Sequence, residues 1–209
     1  MSLKKNIVII DYGVGNTYSV SNAIKYLGYN KLVISDDENV IKNADVLILP
    51  GVGAFEEAAN NLRSRSLDVI LNEEVLNKKK PILGICVGMQ LMATLSEENG
   101  IHYGLNWIEG RVKKLQLPKE FAIPHVGWND VSINHVEPLF SRNSKDSNFY
   151  FDHSYYLDCD SNYVSAYCDY HIKVTAAVQK ENIFGVQFHP EKSQTNGLKL
   201  FRDFFNSIK

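Results

Sequence analysis

Three short stretches of the chain carry residue types suited to acyl-transfer chemistry. In PILGICVGMQLM (residues 81–92), Cys86 sits in the form G-x-Cys-x-G. Glycines so placed permit a sharp strand-to-helix turn that presents the middle residue. The amides and positive end of the following helix would then lie beside the sulfur. They would favour the reactive thiolate and receive a developing oxyanion. A lone cysteine is more often an inert buried hydrophobe, so Cys86 needs a base to count as a nucleophile. In FGVQFHPEKS (184–193), His189 precedes Glu191 by two residues, and in extended geometry both side chains point the same way. A carboxylate that orients an imidazole beside a thiol completes the nucleophile–base–orienter set. Pro190 fixes the backbone between them and disfavours helix at His189. His102, His125, His135, His153 and His171 have no carboxylate so placed after an apolar strand. LPGVGAF (49–55) supplies the third component: two glycines flank Val52, and the loop's N–H groups could pair with that of Val87 as an oxyanion hole.

These loops need a scaffold that brings them together. NIVII (6–10), KLVIS (31–35), ADVLILP (44–50) and PILGIC (81–86) read as buried strands of a parallel sheet. Between them, TYSVSNAIKYLGY is helical with Gly28 as its stop, and residues 55–77 are helical and amphipathic in parts. VGMQLMATL (87–95) is expected to continue from the Cys86 turn as a helix. Strand–helix alternation means right-handed βαβ units. The second half changes to short β-like segments: GRVKKLQL, DVSIN, NFYFDHSYYLD, YVSAYCDY, KVTAAVQK and IFGVQFHP. The expectation is an antiparallel or mixed extension of the same sheet, closed by an amphipathic helix over 197–208. PGVG, GICVGMQ and FHPEK all follow predicted strands, and open parallel sheets bind ligands at their carboxyl ends. The pattern thus gives an α/β fold in one domain (1–209), with an open, mostly parallel central sheet and an antiparallel extension.

At 209 residues, a single domain buries roughly 70% of its unfolded surface and needs no staples. A net charge of −2 gives no electrostatic reason to bind nucleic acid or an anionic membrane. Three cysteines suggest no disulfide framework, and the apolar stretch before Asp11 is too short for a signal or membrane segment. A cytoplasmic protein is expected. DYGVGN (11–16) fails the dinucleotide pattern G-x-G-x-x-G at Tyr18. Cys159, Cys168, His153 and His171 lack the close ligand pairs of a zinc site, so no metal is expected.

With the three loops in hand, the chain resembles class I glutamine amidotransferases, whose fold is three-layered and flavodoxin-like. More narrowly it is similar to the glutaminase subunits of imidazole glycerol phosphate synthases. DYGVGN, PGVGAF, GICVGMQLM, GLNWIEGRV, PHVGWND, FYFDHSY and FGVQFHPEKS carry the likeness nearly end to end. The resemblance implies Cys86 as nucleophile on glutamine, His189 as acid and base, and Glu191 as its orienter. It implies oxyanion donors at Val52 or Gly53 and at Val87, and glutamine contacts at Gly51, Gln90, Glu98 and Ser154. No cofactor is implied. Ammonia would pass to a (β/α)8 cyclase subunit making imidazole glycerol phosphate and AICAR in histidine biosynthesis, through an interface holding Trp128, Tyr150 and Lys192. Taken without the family, Trp128 is better explained as a core aromatic, Tyr150 is as well explained as one, and Lys192 as a solvated charge. The paralogous possibility is a cyclase-like synthase that amidates a surface sugar.

Overall fold

A computed structural model of the chain describes residues 5–144 and 146–208. The ends of the expected 1–209 domain, residues 1–4 and 209, lie outside the described residues. Strands β1 (Ile7–Ile10), β2 (Leu32–Ser35), β3 (Val46–Gly51) and β4 (Ile82–Cys86) are parallel to one another in the order β2-β1-β3-β4. Every residue of β1, β3 and β4 is buried, as strands covered on both faces by helices must be.

Helices α1 (Thr17–Tyr26), α2 (Glu38–Lys42), α3 (Phe55–Ser64) and α4 (Leu67–Asn72) connect them. Asn16 caps α1 by accepting from Ser19 N–H at 3.3 Å, and Gly28 follows the helix at φ 92°, the left-handed position that ends helices. Helix α3 buries Phe55, Ala58, Ala59 and Leu62, one stripe at i, i+3, i+4 and i+7. The expected helix over 55–77 is interrupted, because Ser66 takes a left-handed conformation at φ 57° and redirects the chain so that Leu67 and Leu71 reach the core. Residues Glu73–Asn77 then widen into a π turn.

The largest departure from the sequence pattern follows Cys86. Helix α5 spans only Val87–Gln90, and residues expected to extend it form strand β5 (Ala93–Ser96). Pairing decides this: β5 lies between β6 (His102–Tyr103) and β7 (Ile108–Lys114), and tertiary contacts override a four-residue stretch's helical preference.

The second half supplies β8 (His125–Ile133), β9 (Asp146–His153), β10 (Tyr155–Cys159), β11 (Val164–Tyr170), β12 (Ile172–Lys180) and β13 (Ile183–Val186). Strand β13 adds to β4 in parallel, and β12, β11, β8 and β9 continue antiparallel, giving nine strands in the order β2-β1-β3-β4-β13-β12-β11-β8-β9. The expected extension holds for four whole segments and for the NFYFDH half of a fifth. GRVKKLQL and the YYLD run instead enter a second, four-stranded sheet, β10-β7-β5-β6, because the chain breaks direction at Ser154 between β9 and β10.

Helix α6 (Gln194–Ser207) starts three residues earlier than expected and buries Leu200, Phe201, Phe204 and Phe205; each such side chain contributes about 1.5–3 kcal/mol. It packs beside α1, while α3 and α4 pack together. Right-handed crossovers that leave β1 and β3 in opposite directions put the two groups on opposite faces of the sheet. The result is a three-layer α/β fold around a mixed sheet. No helix among the described residues is long and apolar enough to cross a membrane.

Candidate active site

The carboxyl ends of β3, β4 and β13 lie side by side, since β4 is hydrogen-bonded to both neighbours, with Gly51 opposite Cys86 and Val186 opposite Ile85. All three predicted loops therefore open into one place, a cleft of about 260 Å³. Val52, Gly53, Cys86, Val87, Gln90, Glu98, Ser154 and His189 line it. So do Pro124, Asp152, His153 and Tyr155.

Cys86 ends β4 at φ 55° and ψ −112°, a conformation rare for a residue with a side chain. Neither Gly84 nor Gly88 has positive φ. They are required for space: a Cβ on Gly88 would meet Leu49 O at 1.8 Å, and one on Gly84 would meet Gly88 O at 2.7 Å. The glycines let the turn fold back onto the sheet, and the cysteine itself takes the strained dihedral.

His189 is buried and its Nδ1 lies 2.8 Å from Glu191 Oε1. The expected extended geometry is replaced by a 3-10 turn, Pro190–Lys192. Pro190 sits at the first helical position, where its missing N–H does no harm, and His189 itself stays extended at φ −101°. The turn brings the carboxylate under the ring. Ser193 Oγ donates to His189 O at 2.6 Å and accepts from Tyr150 N–H at 3.0 Å, so the turn is tied to β9.

Burial pushes the His189 imidazole down, but hydrogen bonds to the Cys86 and Glu191 side chains outweigh it and raise its pKa to about 10. An unfolded histidine titrates near ~6.5. The stability from this cation is thus complete below pH ~6.5 and lost as pH rises toward 10. Glu191→Gln is expected to flatten the fall in urea midpoint between pH 7 and 10. A slope equal to that of the unaltered chain would count against the pairing.

The glycine loop is held at both ends. Upstream, Tyr12 Oη donates to Pro50 O at 2.5 Å, and a Cβ on Gly51 would meet Gly88 N at 2.6 Å and Tyr12 Oη at 2.8 Å. Downstream, Glu98 Oε2 accepts from Phe55 N–H at 2.8 Å, supplying the cap that Ala54 cannot give α3. Between these pins, Gly53 turns at φ 87° with nothing within 4 Å of its Cβ position, and Val52 is 39% exposed. Gln90 Nε2 donates to Tyr155 O at 2.9 Å and Gln187 Oε1 at 3.1 Å, which leaves its Oε1 for a ligand. Ser154 borders the cleft at the β9–β10 break.

Trp128, Tyr150 and Lys192 come together outside the cleft. Trp128 and Tyr150 are opposite each other on β8 and β9, with ring centroids 6.2 Å apart. Lys192 Nζ lies 5.2 Å from the Tyr150 ring centroid and 4.0 Å from Asp152 Oδ2. Trp128 is 46% exposed, so the core-aromatic alternative does not hold for it.

Sequence reasoning missed Gln187, which lies 3.7 Å from Cys86 Sγ. It also missed the cleft-lining Pro124, and Asp152, His153 and Tyr155 on either side of the expected Ser154. The alternation of FYFDHSYYL signals the strand but not that it closes the cleft. Among the described residues no three metal-binding side chains converge. Burial pushes the Cys159 and Cys168 thiols up to about 12, consistent with packing.

This geometry can be set beside known proteins. The family model described as glutamine amidotransferase class-I matches residues 8–208. The chain is 46% identical over 203 residues to imidazole glycerol phosphate synthase subunit HisH 2 of Vibrio vulnificus, covering 97% of this chain and 95% of that one. It is 45% identical over 198 residues to subunit HisH 1 of Campylobacter jejuni, covering 95% and 98%. Among solved structures, one described as a glutamine amidotransferase superposes with a TM-score of 0.74 at 17% identity, covering 95% of this chain and 97% of that one. PurLQS from Thermotoga maritima does so with 0.72 at 18%, covering 97% and 98%. At such identities the structures speak for the fold alone. Taken with the full-length sequence matches, they place the chain in the class-I glutamine amidotransferase family, in the group of synthase subunits called HisH.

Proposed function

We propose that this chain hydrolyses glutamine to glutamate and ammonia and delivers the ammonia to a (β/α)8 cyclase subunit of imidazole glycerol phosphate synthase. The single observation that carries it is Cys86 at a strained strand end, lining one cleft with His189, which is itself held by Glu191. In this mechanism Sγ attacks the carboxamide carbon as a thiolate. Backbone N–H groups at Val52 or Gly53 and at Val87 stabilise the tetrahedral oxyanion. The imidazolium of His189 protonates departing ammonia; the neutral ring then takes a proton from the water that hydrolyses the γ-glutamyl thioester. Gln90 Oε1, Glu98, Gly51 and Ser154 hold the amino-acid end of glutamine, with Glu98 Oε1 left free by the cap it makes.

The names of the HisH relatives favour a cyclase partner, and the exposed Trp128, with the half-buried Tyr150 and the exposed Lys192 beside it, offers an aromatic anchor next to a charge. The product would be imidazole glycerol phosphate, with AICAR released, in histidine biosynthesis. The second reading is a paralogous subunit feeding a sugar-amidating synthase; the relatives' numbered names, HisH 1 and HisH 2, speak only for more than one such subunit in those organisms. Amide-15N glutamine given to the chain with its cyclase and nucleotide tests the proposal. Label in the imidazole product is expected; label only in free ammonium, or only in an amidated sugar with the cognate synthase, overturns the histidine-pathway assignment.

A further inference from the structure

We propose that Gln187 is a further catalytic residue of this site: its side-chain N–H donates to the Cys86 sulfur and stabilises the thiolate. The proposal rests on Cys86 being the nucleophile. Gln187 is fully buried between β13 and His189, with its backbone N–H bonded to Ala176 O at 2.9 Å.

A buried amide has two orientations, and they differ in whether NH2 or oxygen faces the sulfur. The neighbours leave only one. Tyr155 O can only accept, and the Gln90 amide atom 2.9 Å away is therefore NH2. That same NH2 lies 3.1 Å from Gln187, which must answer it with Oε1. The other end of Gln187, 3.7 Å from Cys86 Sγ, is then the donor. Tyr155 O also orders the far side of this network. It faces His153 Nδ1 at 2.9 Å, so that nitrogen carries the proton. His153 Nε2 is left bare to accept from His125 Nδ1 at 3.1 Å. Burial holds both histidines neutral, lowering His153 to about 3 and His125 to about 4. Reversing Gln187 would put its oxygen against the sulfur and its NH2 against that of Gln90.

The sulfur needs such a donor. Cys86 is 3% exposed, so little water reaches the sulfur to stabilise charge on it. Its other contact, Asp152 O at 3.9 Å, accepts from a thiol and opposes a thiolate. The groups facing the sulfur that favour negative charge are His189 and the Gln187 amide. Tyr12 stays a neutral phenol because burial and Cys86 both raise its pKa, and Glu98, Asp152, His153 and Tyr155 are the other titratable residues lining the cleft.

The test is the pH dependence of Cys86 alkylation by iodoacetamide in the full chain, followed by peptide mass mapping so that Cys159 and Cys168 are counted apart. Gln187→Glu keeps the shape and the acceptor that Gln90 requires but turns a carboxylate oxygen to the sulfur. Its alkylation midpoint is expected to rise by about one pH unit or more. Gln187→Met removes the donor without adding charge, and a smaller rise is expected. A purely structural role would lower the urea midpoint of both variants and leave the alkylation midpoint where it was, and that result overturns the proposal. Should neither variant fold, Gln90→Met, which frees the Gln187 amide to rotate, is read by the same criterion. The outcome is separable from that of the nucleophile assignment, which fails only if Cys86→Ala keeps hydrolysing glutamine.

Discussion

Cys86→Ala is expected to lower glutamine hydrolysis by about four orders of magnitude or more, the scale seen when a covalent nucleophile is removed from its catalytic set. The loss comes from the sulfur alone. His189 and Glu191 keep their 2.8 Å contact in the variant, but without a thiolate there is no atom to carry the γ-glutamyl group. Folding should survive. The side chain's polar contacts are long ones, 3.7 Å to Gln187 and 3.9 Å to Asp152 O, and a buried group this small costs about 1–2 kcal/mol to remove. Partner binding should survive as well, since of the proposed contacts Trp128 and Tyr150 lie on the β8–β9 surface and Lys192 beside them in the Pro190–Lys192 turn, not in the turn that holds Cys86. Glutamate release and partner affinity measured on the same preparation decide it. Substantial hydrolysis by the purified variant would remove Cys86 from the mechanism.

Hydrolysis by the chain alone should be slow, and the cyclase partner loaded with its nucleotide should raise it about 10²–10³-fold, the worth of one oxyanion donor. The structure limits where such a switch can lie. Pro50 O is held by Tyr12, Gly51 is wedged against Gly88, and Phe55 N–H is held by Glu98. Only the Val52–Gly53 segment between them is free, with open space around Gly53 and Val52 half exposed. A peptide there can turn without disturbing the sheet, because glycine tolerates both signs of φ. Steady-state glutamate release with and without loaded partner is the measurement. Full activity in the isolated chain would mean that the oxyanion site is already complete and that no switch lies in this segment.

The residues with a local signature were legible in the sequence. Gly84-Ile85-Cys86-Val87-Gly88 announces a tight strand end, and His189-Pro190-Glu191 puts a ring and a carboxylate two residues apart after an apolar strand. The all-apolar runs of β1, β3 and β4 announce strands covered on both faces. These patterns depend on a residue's own dihedrals and on its immediate neighbours, which is why they can be read in one dimension. The helix expected after Gln90 was illegible for the opposite reason: Ala93–Ser96 is a strand because β6 and β7 pair with it.

Sequence by itself therefore determined the chemistry on offer: a thiol, an imidazole with a carboxylate, and a glycine loop, each at the end of an apolar strand. Tertiary structure decided that β3, β4 and β13 are neighbours, and so that the three meet in one cleft. It also decided that Trp128 faces outward, that Glu191 reaches His189 through a 3-10 turn, and that Gln187 points its donor at sulfur. The physical reason is the same in each case. Strand order, exposure and amide orientation are fixed by burial and hydrogen bonds between residues up to 101 positions apart, and no local pattern carries that information.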